Sequence, residues 1–132
     1  AVDIYHKALN EEEFTCFLRE DSMLPMMYMP DAIKATIDLM EAPSENVKIR
    51  SSYNLAGMSF TPKEIYESIL EFHPDFKIRY APDFRQQIAD GWPDSIDDHF
   101  AREHWGWKPE FGLKEMTKDI LENLPAYFPI EK

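Results

Sequence analysis

The 132-residue sequence predicts one mixed α/β domain. A chain of this length suits a single hydrophobic core, and its 44% of apolar residues are enough to fill that core. Several segments carry apolar residues at helical spacing, and short runs rich in β-forming residues separate them. No internal repeat, low-complexity segment or flexible linker interrupts the sequence. Together these observations predict the element order α-β-β-α-β-α-β-loop-α-α.

The first third of the sequence is predicted to contain two helices separated by two strands. Apolar spacing predicts a helix from about Val2 to Glu11, and because this spacing starts without an initiator Met or a capping residue, we expect a piece of a longer protein. The apolar runs at 14–18 and 23–29 are predicted as strands. Asp31 is expected to cap a helix over residues 31–41. The stripe expected to bury this helix comprises Ile33, Ile37 and Met40.

The middle of the sequence is predicted to form a strand, a helix and another strand. Residues 47–56 are predicted as a strand that ends at a turn at Gly57. The clearest local signal is a capping box, in which Thr61 is the N-cap of a helix, proline follows it, and Glu64 completes the box. Apolar alternation at 76–81 is typical of a half-buried strand. The inward face of the helix is predicted to carry Ile65, Ile69 and Phe72.

The last third of the sequence is predicted to contain a loop and two helices. Residues 82–94 are predicted to be a long irregular loop, and loops of this length are often functional. A short helix is expected to follow and to stop near Gly106. A final helix is predicted over residues 113–124, where the apolar residues fall on one face. Those residues are Leu113, Met116, Ile120, Leu121 and Leu124.

Charge and composition exclude several classes of function. The 14 basic and 25 acidic residues give a net charge of −11, which repels the phosphates of nucleic acids and anionic lipids. We therefore expect no nucleic-acid partner and no membrane partner, and no apolar run approaches the roughly 20 residues of a membrane span. The single cysteine, Cys16, cannot form an intrachain disulfide and is predicted to pack in the core. A reducing, cytoplasmic location is expected.

Sequence motifs for nucleotide binding, acid–base catalysis and metal ligation are missing. The four glycines are too far apart for a GxGxxG or Walker loop, and no tyrosine precedes a lysine by four residues. On a helix, DDHFAREH places His99 and Glu103 on one face and His104 elsewhere, whereas zinc needs three converging ligands. A solvated helix start with the ion pairs Asp98–Arg102 and His99–Glu103 is the favoured interpretation. No catalytic, cofactor-binding or metal-binding residue is predicted in this chain.

The predicted long loop supplies the candidate binding residues. Trp92, between glycine and Pro93, is a poor core residue but a good lid or interface anchor, and packing on the domain's own surface is the alternative. Arg85 could pair with a ligand carboxylate, although a surface ion pair is the more common arrangement. Asp83 and Gln86 could supply further polar contacts.

Four stretches of the sequence, taken in order, resemble a known family. They are MMYMPDAIKATIDLMEAP, YNLAGMSFTPKEI, YAPDFRQQIADGWPDSIDD and AREHWGWKPEF. Together they resemble the C-terminal half of the short-chain type of L-threonine 3-dehydrogenase. That family is an NAD-dependent branch of the extended short-chain dehydrogenases and is related to the nucleotide-sugar epimerases. YNLAG and GWKPEFGL are general to the superfamily, whereas LPMMYMPDA and DFRQQIADGWP are particular to the threonine enzymes.

The resemblance implies a domain organisation and an activity. Residues 1–132 would form a single C-terminal substrate and lid domain of a longer two-domain enzyme, lacking most of the NAD-binding Rossmann sheet. In the family, the glycine-rich NAD loop and the catalytic Ser, Tyr and Lys lie in the N-terminal two thirds. The chain alone is therefore expected to be inactive and to bind no NAD, with the N-terminal NAD-binding domain as its partner. The parent would be a homodimer, cytoplasmic or in the mitochondrial matrix, that oxidises L-threonine to 2-amino-3-ketobutyrate.

One position departs from the pattern of the related epimerases. Where this sequence has Met26, the epimerases carry an arginine that grips a diphosphate, and a wall without that arginine cannot clamp a phosphate bidentately. The substrate-side wall is therefore expected to comprise Met26, Arg85, Trp92 and Pro93 around a small substrate, with loop closure excluding water. Two alternatives remain: the C-terminal domain of a nucleotide-sugar epimerase or dehydratase, and a non-catalytic α/β interaction domain.

Overall fold

The computed structural model describes residues 2–128, which form six helices and four short strands. The predicted mixed α/β class is confirmed. In chain order, the elements are α1 (Val2–Leu9), β1 (Phe14–Cys16), β2 (Leu24–Met26), α2 (Met29–Glu41), β3 (Met58–Phe60), α3 (Pro62–Leu70), β4 (Ile78–Tyr80), α4 (Arg85–Ala89), α5 (His99–Trp105) and α6 (Leu113–Tyr127). None of the helices in this described part is long and apolar enough to cross a membrane.

The strands form two separate pairs. β1 lies parallel to β4, with Phe14 opposite Ile78. β2 lies antiparallel to β3, with Leu24 opposite Phe60. Each strand has three residues, so neither pair is stable by itself and both depend on the helices packed against them.

The main core lies between α1, α3 and α6. The three helices direct apolar side chains inward at spacings of three or four residues. A polar link crosses the same core, because the Tyr5 hydroxyl lies 3.0 Å from Thr117 Oγ1, which also accepts a hydrogen bond from Ser68 Oγ at 2.9 Å. These contacts satisfy the hydroxyl groups that the packed helices bury. The buried apolar members are Ile4, Tyr5, Ala8, Phe60, Ile65, Ile69, Phe76, Met116 and Leu121.

A second, smaller core joins α2 to α5. Ala35, Ala101 and Trp107 are its buried members. The Trp107 indole N–H donates a hydrogen bond to the Ala56 carbonyl oxygen at 3.0 Å, so the ring also fixes the segment that precedes β3. Met27, Tyr53, Leu55 and Trp105 pack around this cluster.

The predicted helix signals at Thr61 and Gly106 are confirmed. Thr61 Oγ1 accepts a hydrogen bond from the Glu64 backbone N–H at 3.2 Å, and the Glu64 carboxylate accepts one from the Thr61 N–H at 2.8 Å. α5 ends at Gly106, whose φ of 76° is a left-handed conformation that favours glycine. In α3, Ile65 and Ile69 are buried as predicted, whereas Phe72 lies beyond the helix and is exposed.

Asp31 does not cap α2, so that prediction is wrong. The helix begins at Met29, and Tyr28 occupies the N-cap position with extended backbone angles. Asp31 lies in the first turn of the helix and is completely buried. Its carboxylate accepts hydrogen bonds from the backbone N–H groups of Glu110 (2.8 Å) and Phe111 (3.0 Å). The side chain therefore fastens the loop before α6 to the start of α2.

The apolar stripe predicted to bury α2 faces outward. Ile33, Ile37 and Met40 are 54%, 48% and 80% exposed. The helix buries a different side, through Asp31 and Ala35. The prediction is wrong because the bonds of Asp31 to residues 110 and 111 turn that other side toward the second core.

The predicted strand at 47–56 is also wrong, and the paired strand is β3. A strand needs a neighbour that satisfies its backbone N–H and C=O groups. The neighbour is β2, which the chain approaches closely at Gly57. A side chain would not fit there, because an added Cβ would lie 2.8 Å from the Met26 carbonyl oxygen. Pairing with β2 therefore starts after Gly57.

Candidate functional site

A cavity of about 310 Å³, which we call the α4 cavity, lies between the strand pairs and α4. Its walls come from β1 and the residues after it, from β2, from the start of α3, and from the segment 85–92. Ligand pockets span roughly 300–1,000 Å³, so this cavity suits a small ligand. Its apolar lining residues include Phe14, Leu24, Phe60, Pro62, Ile65 and Ile88.

The α4 cavity brings together three of the four residues predicted to form a binding wall. Met26 comes from β2, Arg85 from the start of α4, and Trp92 from the turn that follows α4. Trp92 is 55% exposed at the rim, where an indole ring can cover a bound ligand. The fourth residue, Pro93, is exposed and is not one of the lining residues. Contact of these residues with a ligand stays a prediction.

Hydrogen bonds hold α4 in place, and Gln86 makes most of them. Gln86 is buried, and its Oε1 accepts a hydrogen bond from the Arg19 backbone N–H at 2.7 Å. Its Nε2 donates to Ser22 Oγ at 2.9 Å and to Asp90 Oδ1 at 2.7 Å. Arg19 Nη2 also lies 2.8 Å from Asp90 Oδ1. The Gln86 amide is thus engaged in hydrogen bonds within the protein. The sequence alone suggests it as a polar contact for a ligand. Its bonds instead position α4 and the turn that carries Trp92.

Arg85 is occupied by its neighbour Asp83. The Arg85 Nε lies 3.0 and 3.1 Å from the two carboxylate oxygens, and Nη2 lies 2.5 Å from Oδ2. The guanidinium carbon lies 3.5 Å from the centroid of the Phe17 ring. Hydrogen bonds from the Arg85 side chain and backbone N–H hold the pKa of Asp83 below its usual value. The sequence allowed either a ligand carboxylate or a surface ion pair as the partner of Arg85, and the structure contains the ion pair, with Asp83.

Most of the cavity lining, including Phe17 and Ile88, is not among the wall residues predicted from the sequence. Phe84, Ile88 and Trp92 recur every four residues, a helical spacing that could have identified α4 within the predicted loop. Phe17 follows β1 and supports Arg85. No sequence signal marks this role, because its partner lies on a distant segment.

Cys16 lines the α4 cavity as a wall residue. Its side chain is buried, as predicted, and burial raises the pKa of the thiol. A thiol with a raised pKa stays protonated at neutral pH and is a poor nucleophile. Cys16 therefore contributes packing to the cavity.

The acidic and histidine-rich segment around α5 forms local ion pairs. Arg102 Nε lies 2.8 Å from Asp98 Oδ1, so that predicted pair is confirmed. His99 pairs with Asp97 at 2.8 Å, so the predicted pair with Glu103 is wrong. Among residues 2–128, no group of three or more His, Cys, Asp or Glu side chains is arranged to hold a metal ion.

A larger groove of about 810 Å³ lies at the end of α1 and beside the turn after α3. Acidic residues at 11–13 and Asp75 line it, together with His73 and Lys77. Carboxylates outnumber cations there, so the groove repels anionic ligands. None of the predicted binding residues lines this groove, and we take the α4 cavity as the candidate site.

The starts of α2 and α3, which follow β2 and β3, do not fit the pyrophosphate of a dinucleotide. α2 and α3 each carry proline in the first two helical positions, which removes a backbone donor. The turns before these helices contain no glycine that would let a phosphate approach the backbone closely. Neither of these two helix starts therefore offers a cradle for the pyrophosphate of a dinucleotide.

Comparisons with known proteins give consistent matches, although no protein-family model matches the chain. An uncharacterised epimerase/dehydratase of Staphylococcus aureus is 48% identical over 123 residues, which cover 92% of this chain and 38% of that protein. The mitochondrial L-threonine 3-dehydrogenase of Bos taurus is 44% identical over 122 residues, covering 92% of this chain and 32% of that protein. The structure of a GalE-like L-threonine dehydrogenase from Cupriavidus necator is 63% identical with a TM-score of 0.89, covering 92% of this chain and 44% of that chain.

These relatives share a pattern of coverage. The chain spans less than half the length of each of them and matches their C-terminal part. Sequence and fold agree over nearly all of this chain, so the resemblance seen in the four sequence stretches is confirmed. Nearly the whole chain thus corresponds to the C-terminal part of L-threonine 3-dehydrogenases and epimerase/dehydratases, which are GalE-like members of the short-chain dehydrogenase superfamily.

Proposed function

We propose that this chain is the substrate-side part of an NAD-dependent dehydrogenase that oxidises L-threonine to 2-amino-3-ketobutyrate. The observation that carries the proposal is the α4 cavity, a small apolar site whose one charged lining residue, Arg85, is already paired with Asp83. Such a site suits a compact amino acid better than a large anionic nucleotide. The 63% identity to an L-threonine dehydrogenase of known structure supports the same substrate.

The contribution of this chain is binding and the exclusion of water. Met26 and Trp92 wall the cavity, and apolar walls around a bound substrate strengthen the polar contacts made inside. In the proposed arrangement, the acid–base groups and the dinucleotide cradle come from another part of the protein, as the family resemblance implies. The chain alone is therefore expected to be inactive.

The longer protein that contains this chain provides the test of the substrate. We expect it to reduce NAD in the presence of L-threonine, followed by the absorbance of NADH, and we expect L-threonine to raise its melting temperature. Isolated residues 1–132 should show no such activity. An absence of threonine-dependent NADH formation in the longer protein would refute the proposal.

A nucleotide-sugar epimerase or dehydratase is the second candidate, because the 48% identical relative from S. aureus carries that name. The α4 cavity disfavours it, since Met26 stands where epimerases place an arginine and Arg85 is occupied by Asp83. Thermal protection of the longer protein by UDP-sugars, with none by L-threonine, would favour this candidate.

The exposed stripe of α2 supports a two-part architecture. Met29, Ile33, Ile37 and Met40 lie along one side of the helix and are between 48% and 80% exposed. A continuous row of exposed apolar side chains marks an interaction surface. In the proposed arrangement, this stripe packs against the NAD-binding part of the longer protein.

Without that part, the isolated chain is expected to self-associate through the stripe. Ile37→Glu replaces apolar surface with charge, so light scattering should show a lower average mass for this variant than for the unaltered chain. Gln87→Glu adds the same charge on α4 at an exposed polar residue and should leave the mass unchanged. A clean monomer with a sharp melt for the unaltered chain would instead support a free-standing interaction domain.

Replacement of Trp92 by alanine in the longer protein is expected to lower kcat/KM for L-threonine about tenfold, equivalent to ~1.4 kcal/mol. The indole covers the cavity rim, so its loss admits water to the bound substrate, whereas NAD affinity should barely change. Phe84→Ala is the matched control, because Phe84 is an exposed aromatic residue of the same segment outside the cavity lining. Unchanged threonine kinetics in Trp92→Ala would remove Trp92 from the site.

A further inference from the structure

The guanidinium of Arg85, at the mouth of the α4 cavity, is already paired with a carboxylate of the same chain. Arg85 is the one charged residue among those that line the cavity. Its guanidinium lies over the Phe17 ring, 3.5 Å from the ring centroid, so one face of the group is covered. Along its edge, Nε and Nη2 donate to the Asp83 carboxylate at distances of 2.5 to 3.1 Å. This is the edge that would otherwise grip a ligand carboxylate or phosphate.

Asp83 keeps this position because of its place in the chain. It lies two residues before Arg85, and the Arg85 backbone N–H also donates to Asp83 Oδ1, at 2.9 Å. A carboxylate tethered so closely acts as a ligand at high effective concentration. An external anion has to displace this carboxylate before it can bind the same edge of Arg85.

The neighbouring arginine is occupied in a similar way. Arg19, whose backbone N–H binds Gln86 of α4, lies 2.8 Å from Asp90 and 3.5 Å from Asp21. Both arginines near α4 thus have aspartate partners. The wall therefore carries no surplus positive charge that would attract a diphosphate.

We propose that Asp83 is a specificity-determining residue, which excludes phosphate-bearing ligands from the α4 cavity by occupying Arg85. The inference rests on the proposed function, since it explains how a site in this superfamily can favour a small amino acid over a sugar nucleotide. Without the charge of Asp83, the same guanidinium edge matches two oxygens of a phosphate. The preference for a small amino acid over a sugar nucleotide then depends on the Asp83 carboxylate beside the cavity as well as on the size of the cavity.

The test measures the binding of inorganic pyrophosphate to the 132-residue chain by isothermal titration calorimetry. Asp83→Asn removes the charge but keeps an amide oxygen for the Arg85 backbone N–H, which preserves the turn before α4. We expect this variant to bind pyrophosphate about tenfold more tightly than the unaltered chain, the value of one charge-assisted hydrogen bond. Asp94→Asn makes the same change at an exposed residue outside the lining and should give no such gain.

Either of two results would overturn the role of Asp83. One is an affinity for pyrophosphate in Asp83→Asn no higher than in Asp94→Asn, since net charge would then account for all of the effect. The other is a gain that survives in Asp83→Asn/Arg85→Gln, which would place the anion elsewhere. If circular dichroism shows that Asp83→Asn does not fold, Asp83→Ser is measured in its place.

The result of the pyrophosphate titration can be distinguished from the result of the test for threonine oxidation. Pyrophosphate binding is read on this chain alone and requires no NAD, no L-threonine and no turnover. A failure to gain affinity would remove the role of Asp83 but would leave threonine oxidation by the longer protein untouched. Conversely, a longer protein that does not oxidise L-threonine would leave the measured exclusion of pyrophosphate standing.

Discussion

Replacement of Asp31 by alanine is expected to lower the free energy of unfolding by roughly 4 kcal/mol, because two backbone N–H groups lose the same buried carboxylate acceptor. The Asp31 side chain is completely buried and receives hydrogen bonds from Glu110 and Phe111 at 2.8 and 3.0 Å. A hydrogen bond to a charged group contributes about 1.5–3 kcal/mol, and both bonds end on this one buried carboxylate. The expected loss is a large share of the roughly 5–15 kcal/mol that stabilises a typical domain.

Urea unfolding followed by far-ultraviolet circular dichroism measures this loss. Asp31→Asn should fall between the unaltered chain and Asp31→Ala, because the amide oxygen can accept one hydrogen bond while the amide nitrogen opposes the other donor. Asp94→Ala is the matched control, since Asp94 is exposed and its removal should change stability by less than about 0.5 kcal/mol. Equal unfolding midpoints for Asp31→Ala and Asp94→Ala would contradict the fastening role of Asp31.

Replacement of Trp107 by alanine is expected to cost about 4 kcal/mol, the usual cost of emptying a buried aromatic site. Trp107 is 2% exposed and is the largest side chain of the second core. Its loss would leave a cavity between α2 and α5 and would deprive the Ala56 carbonyl of its donor. Both effects weaken the attachment of α5 and of the segment before β3.

The same urea measurement distinguishes packing from hydrogen bonding at this site. Trp107→Phe keeps much of the ring burial and loses the N–H, so its cost should be about half that of Trp107→Ala. Trp92→Ala, at an indole that is 55% exposed, is the control and should change stability little. Similar losses for the two alanine variants would contradict the assignment of Trp107 to a core. Because Asp31 and Trp107 hold the same stretch of chain, their combined effect should be smaller than the sum.

Structural features whose interacting groups lie within a few residues of each other were predictable from the sequence. The capping box of Thr61 and Glu64 spans four positions, and the left-handed Gly106 ends a helix whose pattern stops beside it. In both cases the backbone groups and their partners are neighbours in the chain. The physical requirement is therefore visible in the local sequence.

Features that depend on distant partners were not predictable. The bonds of Asp31 join residues 79 and 80 positions apart, and nothing near Asp31 distinguishes such an anchor from a helix cap. The side of α2 that is buried follows from those bonds, so the exposure of Ile33 and Ile37 could not be foreseen from periodicity alone. Periodicity shows which side of a helix is apolar, but not which side the rest of this chain covers.

The candidate site was predictable in part, and mainly through the family resemblance. Met26, Arg85 and Trp92 were identified as a wall, and the fold places them around one cavity. The sequence does not distinguish a ligand from a surface carboxylate as the partner of Arg85, since residue spacing does not show which acceptor pairs with a guanidinium. The distances to Asp83 supply that answer.

The attachment of α4 determines how fast one wall of the α4 cavity can open. Of the five residues of α4, Gln86 is buried, and Ile88 on the same helix is 57% exposed. Detaching such a segment loses little apolar contact, so its local opening free energy lies far below that of global unfolding. The wall can therefore open on the microsecond-to-second scale of local unfolding while the packed helices α1, α3 and α6 stay in place. A ligand that bridges Trp92 and β2 would trap the closed state, and its residence time would be set by the reopening rate of this short helix.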